Sequence, residues 1–302
     1  MSSIEGLLKQ KGVFGKFVSE ETLRRILESR SLRWSRPSSF NDPFDFQVNF
    51  SLTLENSQTP TAVHNFDQIL LEGPKKATGG HPVSKHVSSL VKDFYDGKRG
   101  LDDTRMAFQK FVDTSLAGIQ KTVIDDGSSE LNDIMVNSLI FCTSLEIQSL
   151  LMWAHYSDSH KGAFLLFQPQ KNNDWGERLP INYSDVFPKI WKPEQLARVL
   201  TAQSKESLVG RPDDVRMAIL TKSSQWDYEK EDRFIISDDT ATPFSDRSFD
   251  ENELSAVVFG CKFPTGDMVD LRNKYSSIFS KAGFFSSSKL DDQYSLRFET
   301  IK

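Results

Sequence analysis

Gln225-Trp226-Asp227-Tyr228-Glu229-Lys230-Glu231-Asp232-Arg233-Phe234-Ile235-Ile236 is the stretch on which the reading of this chain turns. Five ionisable side chains, Glu229 to Arg233, stand between two aromatic residues and an apolar run. A strand sends alternate side chains to one face, so Glu229, Glu231 and Arg233 are expected to point together. Two carboxylates and a guanidinium beside a hydrophobic strand form one of two things. They are a solvated edge, where charge discourages edge-to-edge pairing, or the wall of a polar pocket.

Working outward, Phe14 to Phe17 reads as a strand, Ser19 as an N-cap, and Glu20 to Ser29 as a helix with Leu23, Ile26 and Leu27 at helical spacing. Ser31 to Ser35 reads as a second strand. Val87 to Tyr95 and Met106 to Ile124 carry helical apolar spacing, so residues 55–135 are expected to form a helical insertion or cap within a single domain spanning 1–302. Strands are expected at Ser138 to Ser144, at Gly162 to Phe167 (continuously apolar, as for a strand buried on both faces), at Pro180 to Tyr183, at Trp226 to Ile236 and at Ala256 to Gly260. Helices are expected at Leu150 to Tyr156, Pro193 to Leu208, Asp213 to Thr221 and Asp267 to Phe279, with a terminal strand around Tyr294 to Phe298. The fold class is therefore α+β, with a split, mixed or mainly antiparallel sheet.

At 302 residues, 38% hydrophobic and 26% charged, the composition is that of a globular protein. A net charge of −5 argues against binding nucleic acid through a general basic surface. Cys142 and Cys261 are the only cysteines, too few for a disulfide framework or a Cys-rich zinc site. Met1 to Lys11 has no apolar signal core, and no stretch approaches the roughly 20 apolar residues of a membrane span, so a cytoplasmic location without membrane partners is expected.

Two further blocks carry polar chemistry. Phe40-Asn41-Asp42-Pro43-Phe44-Asp45 is a strong turn signal that also offers Asp42 or Asp45 to a ligand or metal. Phe141-Cys142-Thr143-Ser144, followed by Met152-Trp153-Ala154-His155-Tyr156, sets small hydroxyls at a strand end next to rings able to stack on a planar ligand. A Cys142–His155 dyad is conceivable, although a cysteine in a buried strand is usually inert. His155 and His160 lack the His-Glu-x-x-His spacing of a zinc pair, and P-loop, dinucleotide-type Gly-x-Gly-x-x-Gly and Gly-x-Ser-x-Gly motifs are absent.

These blocks, with Lys16-Phe17-Val18-Ser19, Leu32-Arg33-Trp34-Ser35, His160-Lys161-Gly162, Lys222, Trp226, Tyr228-Glu229-Lys230-Glu231 and Arg233, resemble the bacterial family catalogued as domain of unknown function 2971. That family name carries no activity. At a second level, the order of strand–helix–strand, a strand ending in small polar residues and a late glutamate strand is similar to ADP-ribosyltransferase-like folds. Such a resemblance implies NAD as the substrate, bound between two small sheets. It puts the first position near Lys16, where those folds usually carry Arg or His, the second near Thr143 or Ser144, and the third on Glu231 or Glu229. It further implies Glu231 as the catalytic carboxylate with Glu229 as its partner and Arg233 orienting them. Asn41 and Asp42 would form the rim, and Trp153, His155 and Tyr156 the stacking surface. An intracellular toxin or defence effector, modifying a protein or nucleic-acid acceptor, is the setting this implies. Two other readings stand beside it: a metal-dependent nuclease or phosphoesterase using Asp42, Asp45, Glu229 and Glu231 with Lys222 or Lys230, and a non-catalytic nucleotide- or peptide-binding module.

Overall fold

A computed structural model describes residues 3–48, 59–72, 82–170, 175–188, 212–240 and 242–301. The chain is α+β and divides into two compact units, one of residues 1–45, 135–185 and 220–302, the other of 46–134 and 186–219.

The first unit holds three sheets. Its first five-stranded sheet comprises β1 (Phe14–Val18), β4 (Ala163–Phe167), β10 (Leu254–Phe259), β11 (Gly283–Lys289) and β12 (Leu296–Thr300), in that spatial order. All its pairings are antiparallel except β10 with β11, whose parallel crossover carries the helix Thr265–Tyr275. The second sheet runs β5 (Glu177–Pro180), β8 (Asp232–Ser237), β3 (Ser138–Thr143), β2 (Ser31–Ser35) and β9 (Phe244–Ser248), antiparallel throughout. A two-stranded parallel ribbon joins β6 (Asn182–Ser184) to β7 (Thr221–Ser223), with Tyr183 opposite Lys222.

Period-two alternation explains how the sheets pack. On β4, Leu165 and Phe167 enter one core with Phe14, Trp34, Phe141 and Phe234, which joins the two large sheets. Phe164 and Leu166 enter a second core, closed by Ile4 and by Met152 and Trp153 of a short helix at Leu150–Tyr156. β4 is buried along its whole length, as its unbroken apolar run requires. The helix Glu20–Ser29 starts at Ser19, whose side chain accepts from the Thr22 N–H, and buries Leu23, Ile26 and Leu27.

The second unit contains helices Thr59–Glu72 and Pro82–Tyr95, most of Leu101–Val136, and Pro212–Ile219. Phe66 stacks on Phe108 with centroids 4.0 Å apart, and the Tyr95 hydroxyl donates to the Leu70 carbonyl at 2.6 Å. The expected helix at 193–208 lies outside the described residues.

Three expectations need correction. Residues 226–236 are not one strand: Ser224–Glu229 is a 3-10 helix capped by Ser223, Lys230 is left-handed at φ 43°, and the strand begins at Asp232. The strand expected at 180–183 is two, β5 and β6, parted at Ile181, whose N–H donates to the Glu231 carbonyl. Strands β7, β9 and β11 and the first helix, Ile4–Leu8, had no expected counterpart, and Thr221, expected to end a helix, begins β7. Among these, β9 is largely polar, Phe-Ser-Asp-Arg-Ser, and gives no hydrophobic alternation to read.

Candidate functional site

The end of β3 crosses to β1: the Ser144 N–H donates to the Gly15 carbonyl at 3.0 Å, and Lys16 Nζ to the Cys142 carbonyl at 2.8 Å. Gly15 is needed for this approach, because a Cβ there would lie 2.3 Å from the Phe164 ring and 2.5 Å from the Ser144 carbonyl. Beside the crossing opens a cleft of about 280 Å³. Its walls are Lys16 and Phe17 of β1, Cys142 to Ser144, and Met152 and Tyr156 of the short helix; the loop after β2 adds Phe40, Asn41 and Asp45, and the later chain adds Lys222, Glu229 and Glu231.

The floor is a chain of alternating charges. Asp45 Oδ2 accepts from Arg233 Nη2 at 2.6 Å, and Arg233 Nε donates to Glu231 Oε1 at 2.7 Å. Glu231 Oε2 accepts from Lys222 Nζ at 3.0 Å, and the same ammonium donates to Glu229 Oε2 at 2.5 Å. Glu229 Oε1 then accepts from the Tyr156 hydroxyl. All five charged members are buried. Burial of charge on this scale is tolerated only when every member is paired and hydrogen-bonded.

The pKa shifts follow from that chain. Burial raises the Glu231 carboxyl, but the Arg233 and Lys222 charges overcome it and bring it down to about 2. Glu229 shares only Lys222; burial prevails and its pKa is raised. Burial lowers the Lys222 ammonium, yet Glu231 and Glu229 hold it above its ordinary value. Asp45 is raised, chiefly by burial against the pull of Arg233. Tyr156 is raised by burial and by donating to Glu229, and Cys142 by burial and the Glu231 charge beside it. A thiol held protonated in this way is a poor nucleophile.

Lys16 differs from the other cations. Its ammonium bonds one backbone carbonyl, lies 5.0 Å from the Phe141 ring centroid, and has no carboxylate partner among the described residues. Thr143 and Ser144 face the cleft, and their hydroxyls donate to the Asp232 and Glu229 carbonyls, fastening the turn to β3.

Of the residues singled out from sequence, Lys16, Asn41, Thr143, Ser144, Tyr156, Glu229 and Glu231 line the cleft. Asp42, Trp153, His155 and Arg233 do not. Asp42 closes its own turn, accepting from the Phe44 N–H at 2.9 Å. Trp153 is fully buried in the second core, where its indole N–H donates to the Ile147 carbonyl at 2.7 Å. His155 is exposed and bonds the Tyr228 hydroxyl at 2.9 Å, so it makes no dyad with Cys142, whose neighbour is Glu231. Arg233 lies behind the wall, holding Glu231 and Asp45, with its guanidinium 5.6 Å from the Phe40 ring centroid.

Sequence reasoning passed over Tyr183, whose hydroxyl accepts from the Glu231 N–H at 2.8 Å, and gave Lys222 only a secondary part. Neither had a local signal, since the partners meet through the ribbon. For a metal site the geometry is unsuited: Lys222 Nζ occupies the position between Glu229 and Glu231 that a bridging cation would take. No group of three His, Cys, Asp or Glu among the described residues is arranged to hold an ion. Lys230 pairs instead with Asp227 at 2.6 Å. No described helix is long and apolar enough to cross a membrane.

Comparison with protein-family models, curated proteins and solved structures gave no match to this chain.

Proposed function

We propose that the cleft binds NAD and cleaves its nicotinamide–ribose bond, as an ADP-ribosyltransferase or NAD glycohydrolase does. One observation carries the reading. Lys16, Thr143–Ser144 and Glu229–Glu231, distant in sequence and the residues on which the resemblance to ADP-ribosyltransferase-like folds puts its three positions, line a single cleft beside the crossing of β3 onto β1. Its volume, about 280 Å³, falls just below the roughly 300–1,000 Å³ typical of small-molecule pockets. That suits the reacting end of a dinucleotide, with the remainder along the rim.

Each group then has a task. The carbon–nitrogen bond breaks with its electron pair leaving on nicotinamide, and positive charge develops on the ribose, as in glycoside chemistry. Glu231, anionic at neutral pH, accepts from a ribose hydroxyl and stabilises that charge. A carboxylate offers about four lone-pair sites, and Arg233, Lys222 and Cys142 leave room for one more donor. Lys16 meets the pyrophosphate, and Tyr156 and Phe40 present rings to the bases. An acceptor hydroxyl, amine or water adds to the ribose carbon and loses its proton.

Chromatographic measurement of nicotinamide release from NAD tests this. The wild type releases nicotinamide, and Glu231→Gln, an isosteric change, abolishes release while the protein stays folded. Absence of both NAD binding by calorimetry and nicotinamide release with protein, nucleic-acid and small-molecule acceptors sinks the reading. A second reading, a nucleotide-binding module without turnover, is favoured by the pairing of Glu231 with two cations, which offset the negative charge that a developing ribosyl cation would need. Binding of NAD with no release under any acceptor decides for it.

A further inference from the structure

Glu229 and Glu231 lie on different kinds of backbone, the first ending a 3-10 helix and the second preceding a strand, with left-handed Lys230 between them. Local geometry alone does not bring two like charges onto one wall, and close carboxylates destabilise each other. What brings them together is the ribbon. Tyr183 on β6 and Lys222 on β7 are register partners, and both reach the same residue. The Tyr183 hydroxyl accepts from the Glu231 N–H, and the Lys222 ammonium donates to the carboxylates of Glu231 and Glu229. Lys222 is itself held, being buried with its ammonium 5.0 Å from the Trp226 ring centroid.

We propose that the β6–β7 ribbon is a bracket for the two glutamates, with Lys222 and Tyr183 as positioning residues that set their placement in the cleft. Neither residue needs to touch the reacting atoms. As a statement about catalysis this rests on the NAD reading; as a statement about the carboxylates it does not. Among the described residues, the groups facing the two glutamates are Tyr156 from the short helix, Cys142 from β3, Asp45 from the rim loop, Tyr228 from the 3-10 helix, Asp232 and Arg233 from β8, and Lys222 and Tyr183 from the ribbon. Of these, only Lys222 is shared by both carboxylates through hydrogen bonds.

Two readouts are taken on the intact protein carrying Lys222→Met, Lys222→Arg or Tyr183→Phe. In the first, the glutamate carboxyl carbons are followed by NMR as pH is varied. Lys222→Met raises the Glu231 midpoint from about 2 toward the ordinary 4.5, because one of its two cations is gone. Lys222→Arg restores the low midpoint. In the second, NAD turnover by Lys222→Met shows kcat reduced about 100-fold with KM little changed, the effect of a displacement of about 1 Å in a reacting group. Tyr183→Phe, which removes one hydroxyl, gives a smaller fall in kcat. A lowered melting temperature with the Glu231 midpoint and kcat both unmoved overturns the bracket. If the wild type turns over no NAD, the titration decides alone: a raised midpoint upholds the bracket while the enzymatic reading falls. If Lys222→Met does not fold, Lys222→Gln, which removes the charge and keeps a polar side chain, replaces it in the titration. A Glu231 midpoint unmoved in Lys222→Gln then overturns the bracket, and so does an unmoved kcat in Tyr183→Phe where the wild type is active.

Discussion

Arg33 and Arg233 both meet carboxylates in good geometry, yet they belong to different worlds. Arg33 on β2 forms a two-pronged pair with Asp246 on β9, both bonds 2.9 Å, with side chains 37% and 38% exposed. Arg233 on β8 bonds Glu231 and Asp45 at 2.7 and 2.6 Å with nothing exposed on its own side chain and 2% on Asp45. In the first pair water competes for every bond and salt screens the attraction, so the pair contributes little. In the second, removing one partner strands the others as buried charges. Distance does not separate the two cases; what surrounds them does.

The sharpest way to break this comparison is Arg233→Met. With Glu231 and Asp45 left buried and short of a cation, a loss of about 3–5 kcal/mol is expected in urea unfolding. A loss under about 1 kcal/mol, the range of exposed pairs, erases the distinction.

Acid titration gives the next largest effect. Glu231 has a folded pKa of about 2 against an ordinary 4.5. Its folded value is depressed, so its contribution is present above about 4.5 and is lost as pH falls toward 2. The shift corresponds to about 3 kcal/mol at about 1.4 kcal/mol per unit. Glu229, whose pKa is raised, works in the opposite sense: its ionisation costs stability as pH rises. Measured as unfolding free energy between pH 5 and 2.5, Glu231→Gln loses less stability on acidification than the wild type, and an unchanged slope contradicts the assignment.

Asp45→Asn ranks third. It keeps the shape and an acceptor for Arg233 but removes one charge. Because burial raises the Asp45 carboxyl, relief of that burial cost offsets part of the weakened bond, and the expected cost is about 1 kcal/mol. Faster proteolysis within residues 40–45 is the accompanying sign, because Asp45 anchors that rim to Arg233. Smallest of all is Arg33→Met, at about 0–1 kcal/mol, and shrinking further in 1 M salt. A salt-independent loss of 2 kcal/mol there would overturn the contrast from its other end.

The same contrast explains what the sequence could tell. The helix Glu20–Ser29 and strands β3 and β4 were legible, because Ser19 is a capping residue and the apolar patterns are long. Glu229, Lys230, Glu231, Asp232 and Arg233 look like an alternating strand edge, and their charge suggests solvent. Burial of Glu229, Glu231 and Arg233 depends on partners 7 to 188 residues away, Lys222 and Asp45, and no local pattern records those. Trp153 shows the opposite error. Aromatic composition suggests a stacking surface, whereas its place beside Met152 on a short helix makes it core. Only Tyr156, one turn on, has its hydroxyl directed to the cleft carboxylate.

Lys230 is the residue between the two glutamates, left-handed, exposed and, among the described residues, paired only with neighbouring Asp227. Its side chain is therefore replaceable: Asn or Gly, which visit that backbone region easily, fit there as well or better. Its presence as a unit of length is not. Deleting it, or adding a residue beside it, shifts the end of the 3-10 helix against the start of β8 and separates the glutamates from their shared ammonium. Along this stretch, variation by exchange is cheap and variation by insertion or deletion is ruinous, so the chain acts here as a ruler.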